Sequence, residues 1–275
     1  MSGSTTVPAP QPLDRGSGPR MTWRLLDYWA TVYKRTWRGS IINSFVSPIL
    51  YVVAMGVLLG GFVKADPAKL DGAHSYLAFV VPGMLSAQTM QVAIGETTYP
   101  VMGGIKWHKS YFAMLATPLR VADIVLANLG FAIFRIGSSA AVFVLVMAPF
   151  GVFTSVPGAL AAFVIQLLLG LAFAAPIFAY SSVLKDEGGF SIIYRLLMIP
   201  LFLFSGAFFP LSNLPAPLEA IAVCSPLWQG VDLARMATLG TWHAGTALVH
   251  IVYLVVLAAL GTWLAIRGLT RRMVK

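Results

Sequence analysis

Six stretches of this chain are apolar over lengths approaching or exceeding a bilayer's thickness, and that property fixes most of what the other residues can do. They run at approximately Ile41–Val63, Tyr76–Ile94, Ile124–Phe150, Pro157–Val183, Ile192–Phe209 and Gly245–Ile266. A helix rises about 1.5 Å per residue, so roughly 20 apolar residues cross a hydrocarbon core of about 30 Å. With 58% hydrophobic and 11% charged residues among 275, the chain has too little polar surface for a water-soluble globule. The expected class is an all-α membrane protein of six transmembrane helices. The fifth run is the weakest, being short, ending near Pro210 and Pro217, and carrying Arg195 in its first turn.

The segments before these runs differ in kind. Residues 1–21 alternate proline, glycine and serine and read as a disordered leader with no secretory signal. Residues 22–40 place Leu25, Leu26, Trp29, Val32, Tyr33 and Trp37 on one helical face and mostly cations, among them Arg24, Lys34, Arg35 and Arg38, on the other. That pattern predicts an amphipathic helix lying in the membrane interface. Residues 41–272 then form one membrane domain.

Charge distribution sets the orientation. With the N-terminus cytoplasmic, the six cations between Arg15 and Arg38 share one side with the loop residues Lys106, Lys109, Arg120, Lys185 and Arg195. The C-terminal Arg267, Arg271, Arg272 and Lys275 join them, leaving Lys64, Lys69 and Arg235 outside and Arg135 within a span. Cytoplasmic loops retain Lys and Arg, so both termini are expected in the cytoplasm of a multi-pass cell-membrane protein. The net charge of +9 is thereby explained as a collar facing anionic lipid, with no nucleic acid required. One cysteine, Cys224, excludes an internal disulfide or a cysteine-built zinc site, and the four histidines form no ligand pair. No metal is expected.

Two connections carry chemistry. In the loop 100–118, Gly103, Lys109 and Ser110 keep the spacing of a phosphate-binding loop, but His108 replaces its second glycine and a membrane helix, not a strand, precedes it. No ATP site is expected on this chain. A short helix from about Ile105 to Leu115 would instead project Lys106, Trp107, Lys109 and Tyr111 into the cytoplasm, either to fill a partner's groove or as a basic interfacial loop. The connection 212–240 is too apolar for a solvent loop. Pro215 opens a short helix that must stop before Pro226, Ser225 caps a second, Asp232 and Arg235 can pair on it, and Gly240 can end it. On the outer side such a connection is expected to dip back into the membrane or to pack as a lid over the spans, serving either as packing or as a gate. Charges at membrane depth add Glu96 and Arg135. No series of intramembrane carboxylates exists to pass a proton, so Glu96 is expected to pair with a neighbouring cation or with the partner. Arg135 is either a snorkelling structural residue or a cargo contact.

The motifs then acquire a familiar order. Tyr76-Leu77-Ala78-Phe79-Val80-Val81-Pro82-Gly83 opens the second span, and Glu96 is followed by Thr117-Pro118-Leu119. Later come Phe202 to Leu211 (FLFSGAFFPL), Leu214-Pro215, Ser225-Pro226-Leu227 and Asp232-Leu233-Ala234-Arg235. Over about residues 22–272 the chain resembles the ABC-2 type permeases, most of all the NodJ- and DrrB-like branch associated with lipo-oligosaccharide and drug export. The resemblance implies a permease that is no enzyme itself and pairs with two copies of an ATPase subunit holding ATP and magnesium, alongside a second permease copy. It makes the amphipathic segment a connecting helix and the 100–118 loop a coupling helix, so that Glu96, Lys106, Trp107, His108, Lys109 and Tyr111 would receive the ATPase's motion. It also places spans one, two and five around the central route, with Tyr51, Met55, Met84, Gln88, Phe204, Phe208 and Phe209 beside it, and implies the re-entrant form for the outer hairpin 212–240. The implied cargo is lipidic, glycolipid or amphipathic. Other classes to weigh are a lipid-modifying membrane enzyme, for which the sparse Asp, Glu and His supply no convergent set, and an ATP-independent facilitator.

Overall fold

The computed structural model describes residues 72–273 together with Thr31, Val46, Ile49, Leu50 and Leu70. The leader and, apart from those isolated positions, the amphipathic segment and the first apolar run with Tyr51 and Met55 lie outside the described residues. Among the described residues every regular element is helical. This is what hydrocarbon demands, because a helix satisfies its backbone groups within one segment. Five stretches are long and apolar enough to cross a membrane: Tyr76–Trp107, Val121–Phe150, Val156–Val183, Glu187–Phe204 and Ala244–Met273. They correspond to the second through sixth apolar runs.

Helix α1 (Tyr76–Thr97) begins where the Ser75 hydroxyl accepts the Ala78 N–H at 3.1 Å, and it continues through Tyr99–Met102 into a wider, π-wound turn at Gly103–Trp107. The chain reverses at Lys109, whose φ of +51° is unusual for a residue with a side chain, and α2 (Ser110–Leu115) runs back. The single helix expected from Ile105 to Leu115 is therefore two pieces about a reversal. Gly104 explains it: a Cβ there would meet Tyr111 Cε1 at 2.6 Å, so the tight fold-back of α2 depends on that missing side chain.

Helix α3 (Val121–Met147) is started by Asp123, whose carboxylate accepts the Arg120 N–H at 2.9 Å. Helix α4 (Val156–Val183) is capped by Ser155, with Pro157 in its first turn. The fifth crossing is π-wound at Ile192–Met198 and becomes α5 (Ile199–Phe204). It stops at Phe204, short of the expected Phe209, because Gly206 takes a φ of +73° and residues 205–209 leave the helical path. A helical hairpin follows as α6 (Ala216–Val223) and α7 (Pro226–Leu239), with Pro215, Ser225 and Gly240 at the expected boundaries. Ser225 accepts the Trp228 N–H at 3.1 Å, and Gly240 closes α7 at a φ of +75°. Helix α8 (Ala244–Met273) ends the described chain.

α4 is the hub, packing on α1, α3, α7 and most extensively on α8. The α4 and α8 helices run parallel, since Gly261 meets Pro176 and Gly268 meets Ser182. A Cβ on Gly261 would lie 2.5 Å from Pro176 Cδ, so the proline ring sits directly in the notch that the glycine leaves. Apolar side chains fill two main clusters. One gathers Tyr111, Ile124, Phe178 and Phe190 toward the Lys106 end, and the other gathers Phe79, Leu85, Phe143 and Met147.

Candidate functional site

The exposed tip of the 100–118 connection consists of Lys106, Trp107, His108 and Lys109, and Phe112 extends it onto α2. Trp107 is 49% exposed. A tryptophan left in the open beside two lysines has the composition of an interface anchor. Behind this tip the side chains are buried and hydrogen-bonded. Tyr111, expected to project, is buried instead: its ring covers Gly104 and its hydroxyl donates to Asn128 Oδ1 on α3 at 3.0 Å. Asn128 is itself held by donating to the Ile124 carbonyl at 2.7 Å. Burial raises the Tyr111 phenol above its ordinary range, so it remains a neutral donor.

Four further contacts tie the tip to the crossings. Glu96 on α1 accepts from Arg135 Nε on α3 at 2.9 Å, so the sequence's expectation of a cation beside Glu96 has a specific partner. Thr98 and Tyr194 share a hydroxyl hydrogen bond at 3.0 Å, and the Tyr99 ring meets Phe190 edge-on at 4.9 Å. Lys106 faces Glu187 at 3.7 Å, an exposed pair that adds little stability but puts two connections on the same end of the molecule. Trp107 is thus connected along α1 directly, to α3 through Tyr111 and Glu96, and to the fifth crossing through Thr98 and Tyr99.

At the opposite end, the unwound residues 205–209 are gripped from two sides. On α1, Gly83 lets the backbone of Ala207 approach so closely that a Cβ would sit 2.4 Å from its carbonyl oxygen. From α7, Arg235 donates to the Gly206 carbonyl at 2.9 Å and lies 3.9 Å over the Phe79 ring. The Tyr76 hydroxyl also donates to the Phe208 carbonyl at 3.1 Å. The two sequence motifs around Pro82-Gly83 and Ser205-Gly206 are therefore halves of one joint. Asp232 does not pair with Arg235 as expected. It accepts from His250 Nε2 on α8 at 2.9 Å, while His250 Nδ1 meets the Gln229 side-chain amide. Arg235 was needed at the Gly206 carbonyl, which a carboxylate cannot satisfy.

Of the residues expected along a route, the described ones fall in several settings. Met84 is buried, and Phe208 packs against the same cluster under the hairpin. Gln88 is half-buried between α1 and α3, donating to Ser139 at 2.9 Å. Phe204 is 40% exposed and lines an apolar cavity with Leu201, Leu218 and Ile221, while Phe209 is half-buried in the unwound stretch. Sequence reading missed Asn128, Tyr194, Phe190 and His250 as supports. For Asn128, Tyr194 and His250 the advance signal was a polar or hydroxylated side chain in an otherwise apolar run, whereas Phe190 gave none.

The sequence profile of the ABC-2 type transporter family matches residues 22–239. The chain is similar to Nodulation protein J of Rhizobium leguminosarum bv. viciae, 30% identical over 254 residues that cover 88% of this chain and 95% of that protein. The proteins of the same name from Sinorhizobium fredii and Rhizobium meliloti are 29% and 28% identical, each alignment covering 93% of this chain and 96% of the relative. This chain is a member of the ABC-2 type transporter family, a multi-pass membrane permease subunit.

Proposed function

We propose that the permease exports a lipidic, glycolipid or amphipathic molecule from the cytoplasmic membrane, driven by a separate ABC ATPase acting as two copies on two permease copies. The exposed Lys106–Lys109 tip on its braced support is the observation that carries this reading. A groove on the ATPase would receive Trp107 and Phe112, with Lys106, His108 and Lys109 around them. Tyr111 and Glu96 act from behind as positioning residues. ATP and magnesium belong on the partner, where their binding would close the ATPase pair and shift the permease between inward- and outward-open states. The apolar character of the spans and of the cavity at Phe204 supports a cargo with hydrocarbon parts.

Affinity purification from native membranes is expected to bring down an ATPase whose turnover changes severalfold when the permease is reconstituted with it. Uphill cargo movement by the permease alone would refute the reading. The orientation has its own test. Native Cys224 is exposed at the hairpin elbow, and a cysteine introduced by Lys109→Cys in a Cys224→Ser background reports the opposite end. An impermeant thiol reagent added to intact cells should label Cys224 and leave the Lys109→Cys position unlabelled until the cells are opened. Labelling of both positions in intact cells would reverse or abolish the assignment.

A further inference from the structure

On the outer flank of the α4–α8 pair, Leu168 and Leu171 face Val255, Ala259, Trp263 and Ile266 across an apolar groove of about 480 Å³. From Val255 to Ile266 the groove runs about 16 Å along the helix, half the thickness of a hydrocarbon core of about 30 Å. It is one leaflet long. The chemistry at its end changes abruptly. Val255, Ala259, Trp263, Arg267 and Arg271 form an i, i+4 row on α8 that winds about 40° round the helix per step, so Arg267 stands one turn and Arg271 two turns beyond Trp263, flanking the groove's end on its Trp263 side. The Arg267 guanidinium lies 5.2 Å from the centre of the Trp263 ring, which is itself 55% exposed. Arg267 and Arg271 are exposed, whereas the adjacent Arg272 turns inward and donates to the Ser182 carbonyl at 2.9 Å.

We propose that this groove seats an anionic phospholipid of the leaflet on the Lys106 side, one acyl chain lying between α4 and α8 and the phosphate resting on Arg267 and Arg271. A narrow hydrocarbon channel with a tryptophan at the headgroup level and positive charge at one end only matches that molecule in length, polarity and direction. A second copy of the chain fits poorly. Symmetric packing through this face about an axis normal to the membrane would set each Arg267 and Arg271 against its own counterpart at the same depth. The proposal is independent of the cargo.

Native mass spectrometry of the full-length chain, stripped of lipid in a neutral detergent, tests it with palmitoyl-oleoyl phosphatidylglycerol, the matching phosphatidylcholine and glycerol 3-phosphate as probes. The tightest phosphatidylglycerol site is expected to bind about tenfold more strongly than phosphatidylcholine, with no adduct from glycerol 3-phosphate, given the contribution of roughly one favourable charge contact per arginine. Arg267→Gln/Arg271→Gln should weaken it about tenfold and Arg267→Lys/Arg271→Lys should restore it. Ala259→Phe, on the surface where it clashes with no core, should block binding with both arginines present. Equal affinity for the two lipids, a glycerol 3-phosphate adduct of similar strength, or phosphatidylglycerol binding unchanged in both variants would overturn the proposal. So would Ala259→Phe dissociating permease copies while leaving lipid binding intact.

Discussion

A permease carrying Trp107→Ala is expected to insert and fold normally but to export cargo at less than about a tenth of the normal rate, while the proposed ATPase partner continues to turn over. The size follows from the place of the residue: a tryptophan anchoring an interface contributes about 2 kcal/mol or more, a factor of about 30. Because Trp107 is exposed in the free chain, its removal leaves no cavity. Tyr111 supplies the contrast. Tyr111→Ala empties a fully buried site between Gly104 and Asn128 and should cost about 3–5 kcal/mol of stability, whereas Tyr111→Phe removes only the bond to Asn128, about 1 kcal/mol. Efflux from proteoliposomes and ATP hydrolysis measured on one preparation decide the matter. Transport by Trp107→Ala at the wild-type rate removes the tip from the coupling path.

The second large effect is expected at the opposite end. Gly83→Leu should abolish accumulation of folded protein, because even the first added carbon falls 2.4 Å from the Ala207 oxygen and 2.6 Å from its Cα. Those atoms are backbone and cannot swing aside as a flexible side-chain tip would. The same helix provides a control. Among the described residues nothing lies within 4 Å of the would-be Cβ of Gly95, so Gly95→Ala should be neutral or, through helix propensity, stabilising by up to about 1 kcal/mol. Membrane yield and protease resistance of the two variants read the difference. A Gly83→Leu protein that resists protease like the wild type would show that the α1 joint is not required.

The contrast between these positions explains what was legible in the sequence. Features set by neighbours in the chain were readable: the second through sixth apolar runs, the Ser225-Pro226 start of α7 and its Gly240 stop all follow from length and local capping chemistry. Features set by distant neighbours were not. Tyr111 looked exposed because it stands among polar residues, and only the fold-back over Gly104 buries it. Asp232 had Arg235 three residues away, yet α8 brings His250 to it while the unwound Gly206 claims the arginine. The fifth crossing was drawn too long since Phe208 and Phe209 are apolar enough to continue a span, and hydropathy carries no record of Ala207 lying on Gly83. Lys106, Trp107, His108 and Lys109 were legible as a tip, but the Asn128 brace behind it was one amide in an apolar run.

The joint around Ala207 also imposes an order on biogenesis. The Tyr76 hydroxyl and the Phe208 carbonyl are 132 residues apart, whereas Arg235 reaches Gly206 across only 29. A ribosome therefore delivers α1 to the bilayer long before the backbone that occupies the slot beside Gly83 has been made. The slot beside Gly83 can be filled only after residues 205–209 have been made, and the clamp that Arg235 adds comes later still.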